Sequence, residues 1–399
     1  MIKIRNKKKI ALVLSGGGIK ACAYHVGVCL ALQEKGFRFI GGTREKAEES
    51  PFFNDPLAIK TYVGSSAGAL VGSFLASGHK VEDIMESFQA GAGLLLGSRE
   101  RTKIKPLSYF DIFALNSPSL RSLAQTIFTR RKSTSPWGVE TLLKNNFKVG
   151  GFFTSKKLET YLRKHILPTN SFNELGVDFF AVATHLDHSR KAVFGPKVAT
   201  AKSRETTYVN YVGISDAVAA SISLPPVFAP YAIANQDGEE VFYFDGEIRD
   251  TLSTHVAADC GADLILSSYS IQPYHYTKEI GSLSQFGIPV IVNQALYQVV
   301  EQKILKSIQG REDIRVLIAM VEDYFKENNL PAEHVEKLVE AIVKKTNFKR
   351  NLDHIYIHPQ PQDHEMFFVD HFSLNPEILG HIVKIGFKSA INVLRKFDI

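Results

Sequence analysis

Short, mainly apolar runs at 10–14, 58–63, 177–184, 241–244 and 264–268 predict buried strands, because a strand covered on both faces needs no regular polar alternation. Between them the apolar positions recur at helical spacing. Ala23, Val26 and Leu30 share one side of a helix over 19–35, and Val81, Ile84, Met85 and Phe88 share one side of a helix over 80–90. Further helices are expected over 66–77, 155–166, 213–222 and 251–260, with a hairpin strand over 191–194 and a loop over 36–57. The alternation predicts an α/β fold, a three-layer α/β/α arrangement on a mainly parallel central sheet. Its binding site should lie at the carboxyl ends of the strands.

Beyond residue 270 the pattern turns mostly helical. Residues 292–308 form one long amphipathic run, and 312–345 read as two helices split by Asn328-Asn329-Leu330-Pro331. Packing on the core is expected of this pair, ahead of an insertion or a partner surface. A last strand at 355–357 and a closing helix over 376–397 complete the chain. Residues 91–150 follow neither rhythm: Pro106, Pro118 and Pro136 punctuate short helical runs at 109–115 and 120–129 that mix aromatic and basic side chains. They fit a lid or membrane-facing insertion, and equally a solvated helical insertion with a basic face. The expected organisation is a basic tail (1–9), a core (10–270) and a helical part packed upon it (271–399).

Candidate chemistry enters at the second strand. Residues 58–75 run from β-branched positions through Gly64-Ser65-Ser66-Ala67-Gly68 into a helix of small residues. Such a strand–turn–helix is the setting of a nucleophile elbow, in which Ser66 takes strained angles and the residues two before and two after it must lack bulk. The helix would begin at the serine and turn its positive end toward developing negative charge. At the first strand end, Ser15-Gly16-Gly17-Gly18-Ile19-Lys20 can bring bare amides against an anion. A nucleotide-phosphate loop fits less well, since the G-x-x-x-x-G-K-[ST] spacing is absent and Ala21 stands where G-x-G-x-x-G needs its third glycine. Asp245-Gly246, closing the run at 241–244, presents a carboxylate at a sheet end or makes an ordinary turn.

In the order Gly-Gly-Gly-x-Lys, Gly-x-Ser-x-Gly, Asp-Gly, these stretches resemble the patatin-like phospholipase family. Ala220-Ser221, Pro225, Phe228 and Pro230 are similar to its A-S-x-x-x-P-x-x-F-x-P block, and the likeness covers residues 9–255. Phe372-Ser373 with the closing helix is similar to the end of many bacterial members. The resemblance implies a lipid acyl hydrolase of phospholipase A or lysophospholipase type, working through a Ser–Asp dyad and an acyl-enzyme. Ser66 would be the nucleophile and Asp245 the general base. Gly16, Gly17 and Gly18 would form the oxyanion loop, Gly64, Gly68 and Gly246 would support the turns, and Lys20 stands at the family's basic position. Neither a metal nor a cofactor is implied. One departure stands out: members usually continue Asp-Gly with Gly or Ala, then Asn and Pro, whereas this chain has Glu247-Ile248-Arg249-Asp250. A carboxylate at 247 raises the pKa of the base if it points into the site, and is harmless if it pairs with Arg249.

Two other readings stay in view. One is a patatin-fold protein that binds lipid or a partner with its activity impaired by Glu247. The other is a Ser-His-Asp hydrolase, which needs a late histidine: His255, His334, His354, His358, His364, His371 or His381. His185-Leu186-Asp187-His188 lacks a convergent third metal ligand in sequence.

Composition adds little until its distribution is considered. The 399 residues are 45% hydrophobic and 22% charged, ordinary for a globular chain, with a net charge of +6. Residues 98–132 carry a local excess of basic charge as large as that of the whole chain, and Lys3, Arg5, Lys7, Lys8 and Lys9 crowd the start. Without a module of interleaved aromatics or a recognition helix, nucleic acid is not the expected partner; phospholipid or lysophospholipid on a transient, anionic membrane surface is. An activator or oligomer is left open. Cys22, Cys29 and Cys260 are too few for a disulfide framework, and Cys22 and Cys29, seven apart, share a helix face. Residues 10–14 are too short for a secretory apolar segment, and no run reaches a membrane span, so a cytoplasmic protein, free or peripheral on a membrane, is expected.

Overall fold

The computed structural model describes residues 3–93, 103–116, 150–198 and 205–399. The run expected at 120–129, and most of the 91–150 insertion, lie outside the described residues. The strands are β1 (Ile10–Leu14), β2 (Arg38–Phe39), β3 (Ala58–Ser65), β4 (Ala114–Leu115), β5 (Phe153–Thr154), β6 (Asp178–His185), β7 (Lys191–Phe194), β8 (Thr206–Val209), β9 (Tyr231–Ala234), β10 (Glu240–Asp245), β11 (Leu264–Ser268) and β12 (Asp353–Ile357). The helices are α1 (Gly18–Glu34), α2 (Arg44–Glu48), α3 (Ala67–Ala76), α4 (Val81–Gly93), α5 (Tyr109–Ile112), α6 (Lys156–Tyr161), α7 (Ile214–Ile222), α8 (Thr254–Asp259), α9 (Ile288–Glu327), α10 (Ala332–Thr346), α11 (Glu365–Phe368) and α12 (Pro376–Leu394).

The main sheet runs β12-β11-β1-β3-β6-β10-β9, with β2 beside β3 and β7 and β8 extending from β6. From β12 to β6 all neighbours are parallel. Its two faces explain the mainly apolar runs. In β1, Ile10, Leu12 and Leu14 enter the core under α1, α3 and α12, while Ala11 and Val13 enter a second core with Val256 of α8 and Ile304 of α9. A strand buried on both sides loses the alternating signature. The C-terminal helix packs very closely on α1: a methyl group on Gly27 would stand 2.1 Å from the Val383 carbonyl oxygen, and one on Gly386 2.2 Å from that of Tyr24.

Several elements differ from the sequence reading. β10 is antiparallel to both of its neighbours, β6 and β9, so Asp245 reaches the sheet end from the opposite direction to β1 and β3. The short strands β8 and β9 were not legible. Helix α9 continues unbroken through residues 309–311, where two elements were expected, although Gly310, a poor helix former, occupies the join. Residues 312–345 bury few side chains: Ile318 of α9 and Val339 of α10 are buried, while Met320 and Tyr324 of α9 are 63% and 60% exposed. The basic N-terminal stretch makes specific contacts. Ile4 is fully buried, and Lys7 and Lys9 pair with Asp353 and Asp178.

Two glycines give opposite outcomes on gaining a methyl group. At Gly68 of α3 the added carbon would lie 2.1 Å from the Leu14 carbonyl oxygen, whereas at Gly310 of α9 no atom lies within 4 Å. Gly68→Ala is expected to cost roughly 3 kcal/mol or to prevent folding, and Gly310→Ala to add about 0.5–1 kcal/mol; urea denaturation of both variants checks the pair.

Candidate active site

Sheet register brings the three sequence segments together. Leu14, the last residue of β1, lies opposite Gly64 of β3; Ser65 lies opposite Val182 of β6; and Asp245 of β10 lies opposite Ala183 of β6. The glycine loop, the elbow and the Asp-Gly turn therefore leave the sheet side by side.

At the elbow Ser66 has φ 52° and ψ −119°, a left-handed strain that a serine rarely carries. Close approach enforces it. A methyl on Gly64 would fall 2.3 Å from the Gly68 carbonyl, and Gly68 itself lies on Leu14. Ser221 completes the clamp: its hydroxyl accepts the Ser66 N–H at 2.9 Å and donates to the Val182 carbonyl at 2.6 Å. That gives the Ala220-Ser221 block a structural task. Gly246 is equally constrained, since a methyl there would be 2.2 Å from the Val182 oxygen.

Asp245 is 1% exposed, and it lines the same hollow as Ser66, whose hydroxyl is near enough to lower the carboxyl's pKa. The Asp245 Oδ1 accepts the Glu247 N–H at 2.8 Å. Burial raises the Asp245 pKa to about 6, while the Ser66 hydroxyl and the Glu247 amide hold it down. An aspartate so placed is a stronger base than one in water, and it still ionises near neutrality.

Glu247 points into the site rather than pairing with Arg249. Its Oε2 accepts the Gly16 N–H at 2.7 Å and the Ser65 hydroxyl at 2.5 Å, while its buried Oε1 has no partner among the described residues. Burial first, and the neighbouring Asp245 charge among lesser causes, raise its pKa to about 8. The side chain is thus a neutral acid at pH 7. Its presence also revises the glycine loop: the Gly16 amide is taken, whereas the Gly17 and Gly18 amides have no acceptor among the described residues. Gly17 (φ 132°) and Gly18 (φ 73°) both need glycine's freedom, and a methyl on Gly18 would stand 2.5 Å from the His371 carbonyl.

The remaining candidates are placed elsewhere. Lys20 is fully buried; its ammonium donates to the Met366 carbonyl at 2.7 Å and faces the Tyr297 ring, tying α1 to the C-terminal part. Burial lowers its pKa to about 7. His25 bridges Ser268 and the Ser15 carbonyl under the loop. Of the late histidines, His371 lies nearest the site, but its ring bonds the Gly17 carbonyl and the Tyr297 hydroxyl, not Ser66. His255 lies on α8 beside Asp250. His185 and His188 approach each other to 4.6 Å, and among the described residues no group of three or more His, Cys, Asp or Glu side chains is placed to hold a metal ion.

Above Ser66 lies a mostly apolar hollow of about 480 Å³, walled by Ile112, Leu158, Leu224, Phe228, Leu296 and Val300. The α9 wall was not legible, since nothing in a distant amphipathic helix says which cleft it borders. The Glu247 contact was legible only as a departure from the family pattern. The sequence model of one protein family, described as patatin-like phospholipase, matches residues 12–258.

The two buried carboxyls set a pH dependence of stability. Both fold with a pKa above the unfolded value, so the folded state keeps a proton that the unfolded chain loses, and stability falls as pH rises. The loss runs from about pH 4 to about 6 for Asp245 and to about 8 for Glu247. Glu247→Gln keeps an acceptor for Gly16 and Ser65 and removes its share of the slope, about 1.4 kcal/mol per pH unit. Denaturation curves between pH 6 and 8 should be flatter for the variant; parallel curves would mean that Glu247 is already ionised.

Proposed function

The chain belongs to the patatin-like phospholipase family, whose members are lipid acyl hydrolases, and we propose that it cleaves fatty-acyl esters of phospholipid or lysophospholipid through Ser66 and Asp245. The observation that carries this reading is a strained serine and a buried aspartate lining one apolar hollow.

In this mechanism Asp245 takes the Ser66 proton as Oγ attacks the ester carbonyl. The oxyanion is met by the Gly17 and Gly18 amides and by the positive end of α3. Gly16 stays bound to Glu247 and shapes the loop instead of contacting the anion. Collapse expels the alcohol, which takes the proton from Asp245, and leaves the acyl group on Ser66. Water then attacks by the same path, with Asp245 again as base. The apolar walls favour an alkyl chain at roughly 0.8 kcal/mol per methylene buried. Among the described residues no helix is long and apolar enough to cross a membrane; substrate would be taken from an adjoining lipid surface.

Fatty-acid release from phosphatidylglycerol micelles tests the proposal. Ser66→Ala and Asp245→Asn should each lower kcat by about 10³-fold or more with the fold intact. The wild-type kcat/KM should fall below pH about 6 as Asp245 gains a proton, and above pH about 8 as Glu247 becomes a second negative charge beside the oxyanion. Glu247→Gln should remove only the alkaline limb. Turnover retained in Asp245→Asn would sink the dyad.

A further inference from the structure

A second hollow, of about 600 Å³, lies between α8, α9 and the segment that joins α10 to β12. Its charge is unbalanced. The acids that line it are engaged: Asp250 by Lys191 at 3.1 Å, Asp353 by Lys7 at 2.6 Å, Glu312 by Arg315 at 3.4 Å, and Asp259 by the Tyr208 hydroxyl at 3.0 Å. Four cations that line it, Arg249, Lys303, Arg311 and Lys349, have no carboxylate partner among the described residues.

Arg311 is the clearest of them. Its guanidinium donates to the hydroxyls of Thr254, Ser307 and Tyr356, neutral groups that orient it without cancelling its charge. Burial works against that charge. One more donor that borders the hollow, Nε of Arg249, is buried and without a partner. Buried donors and cations left unpaired cost stability unless something with acceptor oxygens meets them.

We propose that this hollow binds a phosphate-bearing anion, held by Arg311 with Arg249 and Lys349. Tetrahedral phosphate offers several acceptor oxygens at once, matching a guanidinium fork and the ammonium at the rim. The site is separate from the hollow above Ser66, although Lys303 borders both. Lys303 also donates to the Ile248 carbonyl at 2.8 Å, within the turn that follows Asp245.

The full-length protein should be titrated calorimetrically with inorganic pyrophosphate at constant ionic strength, and sedimented with phosphatidylglycerol–phosphatidylcholine vesicles. Arg311→Gln and Lys349→Gln are compared with wild type; Lys349 lies on the exposed rim, so that variant leaves the packing alone. Saturable pyrophosphate binding, weakened about tenfold or more in both variants, supports the proposal and identifies a soluble phosphate compound. Vesicle binding that both variants weaken, without pyrophosphate binding, supports it and identifies a lipid headgroup. Equal binding by wild type and Lys349→Gln in both assays, or no saturable binding in either, overturns it.

Discussion

The contact between Gly68 and the Leu14 carbonyl oxygen governs the geometry of the candidate centre. There α3 sits so low on the end of β1 that one extra carbon would come within 2.1 Å of that oxygen. The same approach leaves no room beside Gly64, forces Ser66 into left-handed angles, and aims the start of α3 at its hydroxyl. Ser221 and Val182 then hold the strained amide in place. Rigidity here comes from backbone on backbone, which has no rotamers to relax.

Around this fixed point the protein keeps two carboxyls in the dry interior. Each is costly as an anion, and hydrogen bonds divide their roles. Asp245 accepts the Glu247 amide, has its pKa lowered by the neighbouring Ser66 hydroxyl, and ionises near pH 6. Glu247 lies against that charge and holds its proton to about pH 8. A neutral acid latched onto Gly16 and Ser65 joins the glycine loop to the elbow without adding a second charge near pH 7. The substitution that departs from the family pattern thereby becomes a structural tie in the site.

Much of this was legible in the sequence, and for local reasons. β1, β3 and β11 announced themselves as apolar runs, and Gly64, Gly68 and Gly246 as turns that tolerate no side chain. Ser66 and Asp245 became candidates from those turns together with the family resemblance. What stayed hidden depends on neighbours distant in sequence. The direction of β10 is set by its pairing with β6. The carbonyl of His371, from the C-terminal part, anchors the start of α1 by accepting the Ile19 amide at 2.7 Å. Nor does any local pattern say that Glu247 would claim the Gly16 amide, or that Leu296 and Val300 of α9 would wall the hollow.

The claim on which everything rests is that Ser66 reacts with its oxyanion facing Gly17 and Gly18. A crystal structure of the protein after reaction with a fluorophosphonate tests it most directly. The account predicts phosphorus on Ser66 Oγ, the phosphonyl oxygen within hydrogen-bond reach of both amides, and Gly16 still bonded to Glu247. A phosphonyl oxygen turned away from that loop, or Ser66 left unmodified, would contradict it.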